Sequence, residues 1–301
     1  MSAAATAGGF LEASARQRVR RFFDAASVHE WLGPGERVTS PHLPALGMPV
    51  AFDDGVMTGR ALLGGQQVFF AAEEPEFMGG SVGEVHGAKL TGLLLRAARD
   101  KPKGVVLLLD TGGVRLHEAN AGLIAISEIQ RAVFAARAAG VPVIVVSAGI
   151  NGCYGGLGIV ARGCDWIVMT EEGRLSVSGP EVIEAQKGVE EFDARDRALV
   201  WRTMGGKHRY LIGEADALVA DNFEALRNAV IAFLGRPRPI DLESVRAEHA
   251  ALGRRLERFG AAQDSIDIWS GLGVREPAGL PMLAAAEFVA VADKVKERAD
   301  A

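Results

Sequence analysis

Residues 105–115 read VVLLLDTGGVR, an unbroken aliphatic run that passes straight into Asp110-Thr111-Gly112-Gly113-Val114-Arg115. A short run with no polar alternation suits a strand covered on both faces, which is the habit of parallel sheets. A second stretch of this kind, VIVVSAGINGCYGGLG at 143–158, again sends a strand into paired glycines, Gly155 and Gly156. Working outward, VFFAA at 68–72, WIVM at 166–169 and ALVA at 217–220 read as further buried strands. Apolar residues at helical spacing fill 83–99, 118–139, 155–162, 194–203 and 222–234. Strand and helix in alternation predict a largely parallel α/β core.

The flanks read differently. Gly33-Pro34-Gly35 through Pro49 is an irregular lead-in, and Arg236-Pro237-Arg238-Pro239 is a proline break. Beyond it Leu242, Val245, Leu252, Leu256 and Phe259 recur on one side of a charged segment, and 283–297 repeats the style. The expected organisation is a flexible leader over 1–20, a main domain over 21–235 and a helical C-terminal extension over 236–301. The chain has 301 residues, 49% of them hydrophobic and 24% charged, which places it among ordinary globular proteins with room for a sizeable core. Its net charge of -5 and the lack of any basic stretch among aromatics argue against nucleic acid as a partner. No apolar run approaches the ~20 residues of a membrane-spanning helix, so no membrane association is expected. Two cysteines, Cys153 and Cys164, build no disulfide framework, and a cytoplasmic setting is the expectation.

Glycine accounts for 37 residues, and much of it falls just after strands. There it lets backbone approach a ligand closely, and a helix start adds unpaired N–H groups and a favourable dipole. Two such donors converging on one point make an oxyanion hole. Other chemistries fit less well. The glycines of 152–158 do not give a clean dinucleotide fingerprint, and no GxSxG elbow exists, since Ser147 lies within a strand. The histidines His29, His42, His86, His117, His208 and His249 are scattered without HExxH, so neither a metal nor a cofactor is expected to be bound by this chain.

Four motifs in order resemble the crotonase-like acyl-thioester carboxyltransferases. Phe77-Met78-Gly79-Gly80-Ser81-Val82-Gly83-Glu84 with the downstream Lys89 resembles their FGGSxGE segment, and Asp110-Thr111-Gly112-Gly113-Val114-Arg115 resembles their DSGGAR turn. Cys153-Tyr154-Gly155-Gly156 resembles the AGG turn, and Ser178-Gly179-Pro180-Glu181-Val182-Ile183 resembles TGPxVI. Within the superfamily the likeness is to β subunits of malonate decarboxylase. It runs through Arg37-Val38-Thr39-Ser40-Pro41-His42-Leu43-Pro44, Gly188-Val189-Glu190-Glu191-Phe192-Asp193 and Gly205-Gly206-Lys207-His208-Arg209-Tyr210.

That resemblance implies a crotonase/ClpP-like spiral of ββα units with a C-terminal helical appendage. It implies decarboxylation of a malonyl thioester on an acyl carrier protein, which supplies the thioester prosthetic group, and a homologous γ subunit as partner. Carried over to this chain, the enolate oxygen lies against Gly155-Gly156 and the facing Gly112-Gly113. The hydratase glutamate that follows the glycine turn in relatives is replaced here by Ile159 and Val160, while Glu181 matches the other hydratase carboxylate. Water addition is therefore disfavoured. The GKHRY and IWSGLG segments favour the biotin-independent type. A biotin-dependent malonate decarboxylase or another acyl-CoA carboxyltransferase subunit is the alternative, and a noncatalytic thioester-binding scaffold for the γ subunit is a further one. His86, His117, His208 and Arg115 are proton-donor candidates by residue type alone.

Overall fold

The computed structural model describes residues 9–299. One sheet carries β1 (His29–Trp31), β2 (Val56–Leu63), β3 (Gln66–Glu73), β4 (Val105–Leu109), β5 (Val143–Ser147), β6 (Trp166–Thr170) and β7 (Ala217–Val219), side by side in chain order. The first three pair antiparallel, and from β3 to β7 every pairing is parallel. Register runs from Val105 opposite Val143 to Leu109 opposite Ser147, so the two glycine turns leave the same end of the sheet on adjacent strands.

Helices cover both faces. The first eight are α1 (Ala15–Phe22), α2 (Glu84–Asp100), α3 (Asn120–Ala138), α4 (Gly155–Arg162), α5 (Pro180–Lys187), α6 (Arg197–Met204), α7 (Gly206–Leu211) and α8 (Phe223–Phe233). They are followed by α9 (Leu242–Phe259), α10 (Ser265–Gly271) and α11 (Ala285–Ala299). Successive strand residues point to opposite faces. Val105, Leu107 and Leu109 accordingly pack with Leu90 and Leu94 of α2 and Ile129 and Val133 of α3. Val106 and Leu108 pack on the other side with Val19 and Phe22 of α1 and Leu226 and Val230 of α8. Every residue of β4 and β5 is buried, which is why their sequences show no alternation.

Between strand and helix each unit makes a short second bridge. Val82 pairs with Val114, Thr111 with Cys153 and Cys153 with Leu175, all parallel, and Arg174 pairs antiparallel with Gly205. Strand, bridge and helix thus repeat along the chain as the spiral of ββα units that the resemblance implies.

Two expectations about organisation need correction. Met1 to Gly8 of the expected leader lie outside the described residues, but residues 10–20 are built into the core. Phe10 is fully buried, with its ring 5.4 Å from that of Phe223, and Arg18 is fully buried as well. A single aromatic among small residues did not mark this anchoring. The expected C-terminal extension is also not one unit. Trp269, Leu280, Phe288, Ala292 and Val295 belong to the same core cluster as Val145 of β5, Lys207 Nζ donates to the Pro281 carbonyl at 2.7 Å, and the Tyr210 hydroxyl bonds Asp293 at 2.7 Å. Only α9 stands off, with no buried residue.

Candidate active site

β4 ends at Leu109 and the chain turns through Thr111-Gly112-Gly113; β5 ends at Ser147 and the chain reaches Gly155 as the first residue of α4. Gly113 has φ +126° and Gly155 φ +61°, both in the region that favours glycine. A Cβ on Gly155 would stand 2.9 Å from the Gly113 Cα and 3.7 Å from the Val114 nitrogen, so the two turns touch. The motif at 77–80 lies against them: a Cβ on Gly80 would fall 1.9 Å from the Asp110 carbonyl oxygen. The four glycines singled out in the sequence are thus brought together.

Their N–H groups are not equally available. Gly112 donates to the Gly79 carbonyl at 2.9 Å, Gly113 to Thr111 Oγ1 at 3.0 Å, and Gly155 to the Val177 carbonyl at 2.9 Å. Gly156 sits in the first turn of α4, which has no side-chain cap, and its N–H has no partner among the described residues. Val114 is in the same position. The bridge to Val82 uses the Gly113 carbonyl and the Arg115 N–H, which leaves the Val114 N–H turned away from Val82, without a partner among the described residues. Nothing in the sequence singles out Val114, because a free N–H is decided by what its neighbours bond and no residue type announces it. The turns open outward. Gly112 is exposed, Leu116 (84% exposed) and Ile159 (53%) follow the two turns by three residues each, and Val177 (61%) is held at the second turn by the bond from Gly155 to its carbonyl, all three with their apolar surface uncovered.

The side chains expected as proton donors separate clearly. His86 is fully buried with Nε2 3.2 Å from Glu73, and burial pushes its pKa down to about 3. His208 is buried, accepts at Nδ1 from Trp269 Nε1 at 3.1 Å, and is also pushed down to about 3 by burial. Both imidazoles are neutral. Arg115 is locked in the interior by Asp54 at 3.0 Å and Glu118 at 2.9 Å, and a guanidinium does not give up its proton in proteins. His117 alone of the four is exposed, four residues past Gly113. Lys89 is buried and donates to the carbonyls of Asp53 and Val56, and burial lowers its pKa. Cys153 and Cys164 are free and buried, and burial raises both thiols, so neither is a thiolate nucleophile. Among the described residues, no group of His, Cys, Asp and Glu could hold a metal ion, and no helix is long and apolar enough to cross a membrane.

Comparison with known proteins gives this geometry a family. Residues 12–244 match the carboxyl transferase domain. The chain is 38% identical over 308 aligned residues to the malonyl-S-ACP:biotin-protein carboxyltransferase MADC of Malonomonas rubra, with 95% of this chain and 96% of that protein covered. Among solved structures it resembles a chain of the Pseudomonas malonate decarboxylase hetero-tetramer in complex with malonate, at TM-score 0.80 and 43% identity, covering 86% of this chain and 95% of that one. It also resembles a chain of the Pseudomonas malonate decarboxylase MdcD-MdcE hetero-dimer, at TM-score 0.67 and 40% identity over 83% of this chain and 96% of that one. With the domain matched over most of its length and a relative aligned nearly end to end, this chain belongs to the carboxyl transferase family of crotonase-like enzymes.

Proposed function

We propose that this chain is the subunit of a malonate decarboxylase that takes a malonyl group, carried as a thioester on an acyl carrier protein, to the acetyl thioester and CO2. Breaking the bond to the carboxylate carbon releases CO2 and leaves its electron pair as an enolate, with negative charge on the thioester oxygen. The barrier falls when that oxygen meets fixed donors in a water-poor site. The Gly156 and Val114 N–H groups, on turns in van der Waals contact, supply two such donors, and the α4 dipole adds to them. This pair of unengaged donors, in a chain whose relatives are named for malonyl substrates, is the observation that carries the reading. No side-chain nucleophile is required, in keeping with the inert thiols. A proton must then reach the α-carbon, and His117 is the candidate imidazole that solvent can recharge. The chain itself binds no cofactor in this reading, since the thioester arm belongs to the carrier protein.

Dryness has to come from elsewhere, because Gly112 is exposed and the rim of Leu116, Ile159 and Val177 is uncovered. A homologous γ subunit seated on this rim closes the site, and the similar Pseudomonas chains come from hetero-oligomeric complexes. The Malonomonas relative, named as a biotin-protein carboxyltransferase, favours a second reading in which the same enolate forms but the carboxyl group passes to biotin. The test is CO2 release from malonyl-loaded carrier protein by this chain co-purified with its γ subunit, with and without avidin. Avidin-resistant release is expected. Avidin inhibition would establish the biotin-linked type, and thioester binding without any release would reduce the chain to a scaffold.

A further inference from the structure

The two glycine turns are tied to each other by one buried carboxylate. Asp110 is fully buried, and its own backbone continues directly into Thr111-Gly112-Gly113. Its side chain crosses to the other turn, where Oδ1 accepts from the Asn151 N–H at 2.6 Å and Oδ2 from the Ile150 N–H at 3.2 Å. From there the chain runs through Gly152-Cys153-Tyr154 into Gly155-Gly156. Gly149 leaves room for this reach, since a Cβ there would stand 2.1 Å from the Asp110 carboxyl carbon. The charge is answered by Arg18 of α1, fully buried, whose Nη2 donates to Oδ2 at 2.7 Å. Arg18 is fixed in turn by the carbonyls of Phe10 at 3.2 Å and Leu11 at 3.1 Å, and both of those residues donate their N–H groups to Asp221. A buried carboxylate without its cation would be strongly disfavoured.

We propose that Asp110, held by Arg18, is a positioning residue that sets the separation of the Val114 and Gly156 donors. The inference rests on the thioester reading above and adds to it the device that holds the donors in place. The N-terminal segment thereby bears on the site through Arg18, which is itself fully buried. Burial raises the Asp110 carboxyl and Arg18 opposes that, so removing Arg18 also changes the charge behind the turns.

The readout is the infrared carbonyl band of an acetyl thioester of the carrier protein, 13C-labelled at the carbonyl and bound to the complete complex with the γ subunit. Donors aimed at the oxygen move this band to lower wavenumber. In Asp110→Asn and Arg18→Met the displacement should shrink and kcat should fall on the order of tenfold to a hundredfold, with KM changed much less. Arg18→Lys, which keeps a donor for Asp110, should recover most of both. Where Asp110→Asn fails to fold, the contrast of Arg18→Met with Arg18→Lys decides the matter, with active enzyme counted by bound thioester. Folded variants with an unmoved band and unchanged kcat overturn the positioning role. A wild-type complex with no band displacement instead overturns the oxyanion reading itself, whatever the variants do.

Discussion

In the proposed mechanism Gly156 is where residue identity matters most, because its contribution there is a backbone hydrogen. A Cβ at this position would meet the Ile126 side chain at 2.4 Å, so any substitution must first be given room. In an Ile126→Ala background, Gly156→Ala keeps the N–H and Gly156→Pro deletes it at a helix position where proline is otherwise tolerated. The proline form is expected to lose about 100-fold or more in kcat relative to the alanine form, the scale of losing one oxyanion-hole donor. Equal rates from folded forms of both would remove Gly156 from the site. Legibility at this scale was partial. Gly112, Gly113, Gly155 and Gly156 stood out as paired glycines after apolar runs, but the acceptors that silence three of their N–H groups come from Gly79, Thr111 and Val177. Only a folded chain brings those acceptors into reach.

The contact of β3 with α2 carries an uncommon pair of uncharged titratable groups. Burial pushes Glu73 up to about 8 and His86 down to about 3, so both are neutral across a wide range of pH. In the unfolded chain they titrate near their ordinary 4.5 and 6.5. Between these two values each state binds one proton for the pair, on Glu73 when folded and on His86 when unfolded, and stability is flat. From pH 6.5 towards 8 the folded state binds one proton more, so stability falls as pH rises; below 4.5 the unfolded state binds one more, so stability falls as pH drops. Glu73→Gln should abolish the alkaline loss, on the order of 1 kcal/mol per pH unit, and leave an acid-side decline that begins near pH 6.5. Urea midpoints for both proteins across pH 4 to 8 measure this. Parallel curves would mean that Glu73 is already ionised in the fold.

For the whole molecule the uncovered apolar surface is decisive. On α3, Leu123 is 59% exposed and Ile124 62%, and both precede Ile126, the residue that packs over Gly156. Large exposed aliphatic residues beside a site mark a docking surface. An obligate partner covers about 2,000 Å² or more in all. The double variant Leu123→Asp with Ile124→Asp is expected to fold, since neither side chain supports the core, and to fail to co-elute with the γ subunit on size exclusion. CO2 release should fall with it, and the wild-type chain alone should release none. Full activity from the single chain would end the two-subunit account.

Local sequence pattern was enough to place the five strands β3 to β7 and most of the helices. The strands at 105–109 and 143–147 and the helix at 155–162 have the expected bounds, because a parallel strand buried on both faces writes an unbroken apolar run. β1 and β2 leave no such mark: β1 is only His29–Trp31, Gly59 and Arg60 interrupt the apolar pattern of β2, and antiparallel pairing, β1 with β2 and β2 with β3, sets their places. Only the closed chain places Phe10 and Arg18 in the core, completes that core with α10 and α11 but not α9, and leaves the Val114 and Gly156 N–H groups without a partner among the described residues. Each of these depends on partners far away in the chain, such as Asp221 for Phe10, Asp110 for Arg18 and His208 for Trp269. Local composition registers what one segment can bury, whereas long-range hydrogen bonds and ion pairs exist only once the chain has closed on itself.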